Sequence, residues 1–171
     1  MTLLILSDTH GRPDRITEVI RRARPDGILF AGDGLRDLTR CELPCPLWAV
    51  KGNCDWGLTP LVVGNTLLEA EDETLITLEG VRILLCHGHR YGVKGGLGPL
   101  VARARQAQAD VAVFGHTHLP LELRLTPDKD SSLSVTKPLT LFNPGSLGDH
   151  NASFGTLTIR GGQCLFGHGE L

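Results

Sequence analysis

Residues 2–11, TLLILSDTHG, place a run of apolar residues directly before an aspartate, a histidine and a glycine. An almost unbroken apolar run is typical of a strand that is buried on both faces of a sheet. Residues 13–24 follow with a proline at the start and apolar residues at helical spacing, which predicts an amphipathic helix. A second apolar run over residues 28–31 completes a strand–helix–strand unit, and such a unit favours parallel strand pairing.

The same reading predicts a fold for the whole chain. Further strands are expected at 47–50, 74–78, 81–86 and 111–114, and a further helix at 99–108. Glu79 and Gly80 separate two of these strands and indicate a hairpin, while residues 120–168 read as mostly β. We therefore predict an α/β fold in which two mixed β-sheets pack as a sandwich flanked by helices, forming a single domain over residues 1–171.

Composition narrows the class of protein. The chain has 171 residues, 41% of them hydrophobic, and a formal net charge of -2, which fits a globular domain with a sizeable core. Lys and Arg form no cluster, so there is no strong nucleic-acid signature. No apolar run is long enough for a membrane span, and the N-terminus has no basic region or cleavage site. We therefore expect a cytoplasmic protein without membrane partners.

The five cysteines predict neither a disulfide framework nor a metal clip. Their number is odd, and the sequence reads as cytosolic. Cys41 and Cys45 are spaced like half of a zinc site, but no second pair completes a tetrahedral ligand set. We interpret them as small, partly buried thiols.

Five of the predicted strands end in side chains that can bind metals, usually beside a glycine. The seven candidate ligands are Asp8, His10, Asp33, Asn53, His87, His116 and His118. Because the carboxyl ends of strands in open α/β sheets share one crevice, we expect these side chains to converge. Seven nitrogen and oxygen donors are too many for one transition-metal ion and suit two ions that share a ligand, for which Asp33 is the natural bridge. The donor types favour Mn, Fe, Co, Ni or Zn over Mg or Ca.

Each short motif also has an ordinary structural interpretation. Asp8 and His10 stand in a stretch that suits helix capping, and Asp33 and Asn53 are common turn residues. The metal hypothesis therefore depends on their joint position at the ends of separate strands.

The motifs DTHG (8–11), GDG (32–34), GNCD (52–55), HGH (87–89) and GHTH (115–118) occur in the order found in calcineurin-like metallophosphoesterases. The sequence resembles that family over residues 1–148, including NPGS at 143–146, and its short length and GNCD resemble the small YfcE-like phosphodiesterase branch. The resemblance implies the four-layer metallophosphoesterase fold. It also implies two divalent transition-metal ions, Mn2+ first and Ni2+, Fe2+, Zn2+ or Co2+ as alternatives. By the family pattern, one ion is held by Asp8, His10, Asp33 and His118, and the other by Asp33, Asn53, His87 and His116.

The resemblance further implies an activity. We expect hydrolysis of small phosphate esters, diesters rather than monoesters, by a hydroxide that bridges the two ions. The alternative is a protein-interaction scaffold with little or no turnover, because the retromer subunit with this fold also resembles these enzymes. A metallo-hydrolase of non-phosphate esters or lactams usually carries H-x-H-x-D-H, which this chain lacks. A homo-oligomer is left open.

Cys54 departs from the wider superfamily, where the motif usually reads Gly-Asn-His. A thiol is a weaker hydrogen-bond donor than a protonated histidine and carries no positive charge, so either a catalytic or a packing role fits Cys54. Asp55 either orients His10 or a neighbouring group, or only caps a turn. His89 either lies over the substrate or is a solvated loop histidine.

Three further segments are assigned less chemistry. The glycine-rich stretch 91–99 with Lys94 is either a substrate-side loop or a plain surface loop. Residues 143–146 form a tight turn that the family resemblance places near the metals. His150 and His168 lie outside every motif and are interpreted as structural or surface residues.

Overall fold

The protein is described here by a computed structural model that covers residues 1–127 and 137–171. In chain order the elements are β1 (Thr2–Leu6), α1 (Pro13–Ala23), β2 (Gly27–Phe30), α2 (Leu35–Leu38), β3 (Leu47–Ala49), β4 (Leu61–Val63), β5 (Thr66–Leu68), β6 (Glu73–Leu78), β7 (Val81–Cys86), a 3-10 turn (His89–Tyr91), α3 (Gly98–Gln106), β8 (Val111–Val113), β9 (Leu121–Leu125), β10 (Leu139–Asn143), β11 (Ser153–Arg160) and β12 (Gln163–Glu170).

The strands form two mixed five-stranded sheets and one small hairpin. The first sheet has the order β12-β11-β1-β2-β3 and the second the order β6-β7-β8-β10-β9, while β4 and β5 pair with each other. In the first sheet β1, β2 and β3 are parallel, and in the second β7, β8 and β10 are parallel. The other neighbouring strands pair antiparallel. Each sheet therefore has three adjacent parallel strands, at one edge of the first sheet and in the centre of the second, and these strands end on the same side.

Three apolar cores hold the layers together. Leu3 and Ile5 of the first sheet pack against Ile83, Val113 and Phe142 of the second, which fills the space between the sheets. The outer face of the first sheet is covered by α1, through side chains that include Ile16, Val19 and Ile20. The outer face of the second sheet is covered by α3, through Leu100, Val101 and Ala104. The order is helix, sheet, sheet, helix, so the predicted fold class is confirmed.

The predicted elements occur where the sequence placed them, with ends that shift by one or two residues. The hairpin between β6 and β7 turns through Glu79 and Gly80, whose φ angles of 48° and 82° suit a two-residue turn. The short helix α2 and the β4–β5 hairpin were not predicted, because stretches of three or four residues carry too little periodicity. None of the helices in the two described ranges is long and apolar enough to cross a bilayer.

Candidate metal centre

The seven candidate ligands all lie in loops that follow the carboxyl ends of the parallel strands. Five of them have left-handed backbone conformations, with φ angles from 44° to 67°: Asp8, His10, Asp33, His116 and His118. Residues other than glycine rarely adopt this conformation, and where they do, the strain is often found at functional sites. The backbone of these loops therefore adopts a strained conformation that orients the side chains, and not the least strained connection between two elements.

Asp8 lies at the centre of the group and is fully buried. Its Oδ2 accepts hydrogen bonds from Ser7 Oγ at 2.5 Å and from the backbone N–H of His116 at 3.0 Å. Its Oδ1 is 3.2 Å from His118 Nε2, 3.8 Å from His10 Nε2 and 3.9 Å from His87 Nε2. Within the described part of the chain, this buried Oδ1 has no hydrogen-bond partner.

The proton of the His118 ring is directed away from Asp8. His118 Nδ1 lies 3.0 and 3.1 Å from the two carboxylate oxygens of Asp149. Because an ionised carboxylate only accepts hydrogen bonds, Nδ1 carries a proton, and the tautomer with its proton on Nδ1 leaves the lone pair of Nε2 for a metal ion. Nε2 faces Asp8 Oδ1 and lies 3.4 Å from His10 Nε2. A carboxylate oxygen and two imidazole nitrogens thus meet at one point.

A second set of lone pairs surrounds His87, whose ring is fully buried. Its Nδ1 donates to the backbone carbonyl of Ala31 at 2.7 Å. Its Nε2 lies 3.3 Å from Asp33 Oδ2 and 3.2 Å from Asn53 Oδ1. The Asn53 amide nitrogen is directed to Cys54 Sγ, 3.3 Å away, so its oxygen is the atom that faces His87.

The electrostatics of this second set favour positive charge. Burial lowers the pKa of His87, but the hydrogen bond with Asp33 and the charges of Asp8 and Asp33 outweigh it, so the pKa lies above its ordinary value. Burial raises the pKa of Asp33, but His87 and the backbone N–H of Cys54 outweigh that effect and hold the pKa well below its ordinary range. Asp33 is therefore ionised near pH 7 and lies beside a histidine whose protonated form the two carboxylates stabilise.

The donor types fit transition-metal ions. Asp8, His10 and His118 offer ligand atoms within 4.8 Å of one another, and so do Asp8, Asp33 and His87. Imidazole nitrogen with carboxylate and amide oxygen is the set that Mn, Fe, Co, Ni and Zn accept. Burying these atoms against each other is costly unless a cation compensates them. Asp8 belongs to both of these groups, and Asp33 also belongs to a third group with His10 and Cys54, so Asp8 is a second candidate for the bridge that the sequence assigned to Asp33.

His116 lies beside this set. Its ring centroid is 5.0 Å from that of His87. Burial, with the charges of His87 and Lys94, lowers the pKa of His116 to about 4, which keeps the ring neutral near pH 7, as a metal ligand must be. Lys94 lies in the loop at 91–99, whose role as a substrate-side loop or a plain surface loop stays a prediction.

Asp55 organises two of the ligand-bearing loops. Its Oδ2 accepts from the backbone N–H groups of Asp33 at 2.7 Å and Gly52 at 2.9 Å. Its Oδ1 accepts from those of Gly34 at 3.0 Å and Leu35 at 2.9 Å. Of the roles considered from the sequence, these contacts favour the orientation of a neighbouring group, the loop of Asp33, over the orientation of His10. Gly52 is needed here because a Cβ would lie 1.9 Å from Asp33 Oδ1.

Cys54 and His89 border the centre. The Cys54 backbone N–H donates to Asp33 Oδ1 at 2.7 Å, and its thiol is exposed. Burial and the charge of Asp33 raise the pKa of the Cys54 thiol to about 11, so the thiol is protonated near pH 7. The His89 ring lies 5.3 Å from His87 and 6.1 Å from His116. Burial and the charge of His87 lower the pKa of His89, which favours a place beside the centre over a solvated one.

Asp149 is the residue that sequence reasoning missed. It orients His118 from 31 positions away along the chain, and Arg15 of α1 holds the same segment through the carbonyls of Leu147 and Asp149, at 2.7 and 2.5 Å. No spacing in the sequence pointed to this pair. The nearest signal was its position three residues after the NPGS turn.

The NPGS turn supports the centre through hydrogen bonds. Asn143 Nδ2 donates to the Gly115 carbonyl at 2.8 Å and to Thr117 Oγ1 at 3.1 Å, which fixes the loop that carries His116 and His118. Ser146 Oγ donates to the Asp8 carbonyl at 3.0 Å. The expected position near the other candidate ligands is therefore observed.

The two remaining histidines lie apart from this group. His168 stacks on Phe142 with ring centroids 4.6 Å apart, and its Nε2 lies 2.8 Å from the Asn143 carbonyl. His150 is exposed. Both positions agree with the structural or surface roles expected from the sequence.

Comparison with known proteins points to one family. The model of the calcineurin-like phosphoesterase superfamily domain matches residues 1–162. The probable metallophosphoesterase YsnB of Bacillus subtilis is 32% identical over 149 residues, covering 86% of this chain and 75% of that protein. The phosphodiesterase YfcE of Escherichia coli is 29% identical over 180 residues, covering 92% of this chain and 87% of that protein.

Two solved structures share the fold. An archaeal phosphodiesterase superposes with a TM-score of 0.77 at 20% identity and covers 100% of both chains. Vps29 of Entamoeba histolytica, solved in complex with Zn2+, superposes with a TM-score of 0.69 at 19% identity, covering 99% of each chain. At these identities the likeness establishes the architecture and leaves the chemistry to the residues of the site.

Proposed function

This chain belongs to the calcineurin-like phosphoesterase superfamily, and we propose that it hydrolyses small phosphodiesters at a pair of divalent metal ions held around Asp8 and Asp33. The observation that carries the proposal is the buried Asp8 Oδ1, which faces the Nε2 atoms of His118, His10 and His87 and has no hydrogen-bond partner in the described ranges. Such an arrangement is stable when a cation lies between the lone pairs.

The family pattern assigns the ligands to two ions. Asp8, His10, Asp33 and His118 would hold one, and Asp33, Asn53, His87 and His116 the other. We propose Mn2+ as the metal, with Ni2+, Fe2+, Zn2+ and Co2+ as alternatives that the same ligand types accept. When bound, such a pair supplies Lewis acidity toward the phosphoryl oxygens and lowers the pKa of a water held between the ions.

The protein's own residues supply position and charge. Asp149 and the Ala31 carbonyl fix the rings of His118 and His87 in the tautomer that turns Nε2 inward. Asp55 holds the loop of Asp33 by accepting backbone N–H groups. Burial and the charge of Asp33 raise the pKa of the Cys54 thiol to about 11, which disfavours a thiolate nucleophile, and we assign Cys54 no nucleophilic role.

One feature favours diesters, and another favours esters with a good leaving group. The relatives named as phosphodiesterases act on such esters by their names. Cys54 replaces the histidine that the wider superfamily carries after its Gly-Asn pair, and a neutral thiol is a weak proton donor to a leaving oxygen. Esters with a good leaving group need little protonation, so they suit this site.

The test measures the metal content of the purified protein and its rate of ester hydrolysis. We expect the purified protein to bind about two metal ions per chain and to hydrolyse bis(p-nitrophenyl) phosphate faster than p-nitrophenyl phosphate when Mn2+ is present. Asp33→Asn and His116→Ala should each lose most of the diesterase activity. Intact activity in both variants would show that the assignment is wrong.

A scaffold without turnover is the second candidate, because Vps29 shares the fold. The enzyme is the better supported of the two candidates, because each of the seven candidate ligands faces or borders the same centre. Negligible Mn2+-dependent turnover of the activated diester, combined with full metal occupancy, would favour the scaffold.

A further inference from the structure

Trp56 stands out on the surface because it is 91% exposed. It follows Asp55 directly and lies in the loop that carries Asn53 and Cys54. Large aromatic side chains stabilise a protein mainly through burial, so one left in water beside a site is a candidate contact for a ligand.

Trp56 shares a cavity with the candidate metal centre. The cavity has a volume of about 400 Å3, and its lining includes His10, Asp33 and Cys54 of the candidate centre together with Arg36 and Trp56. Its volume is within the range of about 300–1,000 Å3 that small-molecule sites occupy. A phosphoryl group alone leaves most of this space empty, so the cavity has room for an ester substituent.

The loop that presents Trp56 is held from both sides. Its neighbour Asp55 accepts backbone N–H groups from Asp33 and Gly52 through one oxygen. The Asp55 N–H bonds the Gly52 carbonyl at 3.3 Å, and the Leu58 N–H bonds the Asp55 carbonyl at 3.2 Å. These bonds fix the backbone from which the indole projects, and a Trp side chain has only two rotatable bonds to order when a flat group stacks on it, so Trp56 can serve as a stacking platform.

Arg36 adds charge complementarity to the same cavity. Arg36 is exposed and is the second residue of α2, the short helix that follows the loop of Asp33. A guanidinium suits a phosphate oxygen, and an indole suits a planar ring. Together they match a molecule that is anionic at one end and aromatic at the other.

We propose that Trp56 is a specificity residue that stacks on a planar aromatic substituent of the phosphate ester, so that aryl or nucleoside esters are preferred over alkyl esters. The proposal deepens the phosphodiesterase function proposed above and rests on it. It gives Arg36 a different role, the attraction of the phosphate charge whatever the substituent.

Phenylphosphonate and methylphosphonate test this directly, because their carbon–phosphorus bonds resist hydrolysis and they differ only in the ring. Their dissociation constants are measured by calorimetry on the Mn2+-loaded protein, with quenching of tryptophan fluorescence as a second readout. We expect the wild type to bind phenylphosphonate about tenfold more tightly than methylphosphonate. Trp56→Ala should reduce this ratio to about one, and Trp56→Phe should retain most of it.

Arg36→Gln is the matched control, since it changes the same cavity without touching the aromatic platform. It should weaken both phosphonates by the same factor and leave the ratio unchanged. A ratio that is equal in the wild type and in Trp56→Ala overturns the proposal. This also holds if Trp56→Ala changes a dimer to a monomer in size-exclusion chromatography, since Trp56 would then contact a second copy of the chain and not the substrate. Failure of the phosphodiesterase function itself is recognised separately, as absent turnover of bis(p-nitrophenyl) phosphate by the metal-loaded wild type.

Discussion

Two carboxylates at opposite ends of the parallel strands, Asp8 and Asp110, have opposite surroundings. Asp110 precedes β8 and is paired within the protein: it accepts from Lys137 Nζ at 2.7 Å and from the Arg82 backbone N–H at 2.8 Å. Asp8 follows β1 and turns Oδ1 toward the Nε2 atoms of His118 and His10. At the amino ends of the strands, the carboxylate is paired with groups of the protein itself. At the carboxyl ends, the side chains leave lone pairs that a bound cation can use.

This contrast explains why function concentrates at the carboxyl ends. Burying an acceptor among acceptors lowers stability unless a cation joins them, and Asp8 is fully buried. The loops there also hold five non-glycine residues at positive φ. Backbone strain and uncompensated charge at this edge lower the stability of the protein, and the packed cores of the rest of the fold offset that cost.

The largest expected effect follows from Asp8→Asn. The amide removes the charge that both groups of histidines share, so we expect loss of metal and a fall in diesterase turnover of more than 100-fold, beyond the effect usual for supporting residues. Metal content and turnover of bis(p-nitrophenyl) phosphate measure it. Mn2+ should also raise the thermal midpoint of the wild type but not of the variant. Asp110→Asn is the matched control at the opposite end of the strands and should keep both metal and turnover. Equal losses in the two variants would show that the two ends do not differ in function.

Asp55→Ala tests whether the site is held by its own loop contacts. Four backbone N–H groups lose their acceptor, and each buried donor left without a partner costs about 1–3 kcal/mol. We expect the free energy of unfolding to fall by at least about 2 kcal/mol, measured in urea with EDTA present so that metal loss does not contribute. Asp55→Asn keeps one oxygen and should lose less; an unchanged midpoint in Asp55→Ala would contradict the role.

Asp149→Ala probes the fixed tautomer of His118. Loss of the carboxylate frees Nδ1, and such outer partners change metal affinity by about 10–100-fold. We expect about tenfold weaker Mn2+ binding, measured by competition with a chelating dye, with little change in unfolding in EDTA. Asp149→Asn still offers an oxygen to Nδ1 and should recover most of the affinity. Equal affinity in the wild type and Asp149→Ala would show that the contact does not matter.

The smallest effect is expected at the amino ends, for Lys137→Gln. The ion pair with Asp110 is partly exposed, so its removal should cost less than about 1 kcal/mol at pH 7. Burial raises the pKa of Asp110, but Lys137 and the Arg82 N–H outweigh it and hold the pKa below its ordinary value. The contribution is therefore present above about pH 4 and is lost as the pH falls through the lowered value. Urea unfolding of both proteins at pH 7 and pH 3 checks that the difference shrinks in acid.

The sequence could predict the fold and the polar residues at which the buried strands end, because both depend on local patterns. Apolar runs that end in Asp8, Asp33 and His87 mark buried strands and the edge at which they stop. Glycine marks where a loop must turn or pass closely, as at Gly52. The order of motifs added the family, which the match over residues 1–162 confirms.

The roles of Asp149 and Asp55 depend on contacts between segments that are distant in the sequence, and local sequence patterns do not predict such contacts. Asp149 reaches His118 because β11 returns to pair with β1, which brings the preceding loop beside the carboxyl end of that strand. Asp55 bonds the loop of Asp33 because β2 and β3 are neighbours.

By itself, the sequence determined which residue types end the strands, and hence that a family of metal-binding phosphoesterases was the match. Only the tertiary structure decided which nitrogen of His87 and His118 faces inward, which oxygen of Asp8 has no hydrogen-bond partner among the described residues, and that Trp56 shares a cavity with Asp33. The physical reason is that hydrogen bonds and lone-pair contacts act over about 3 Å. Their partners are therefore chosen by the packing of sheets and loops, and not by spacing along the chain.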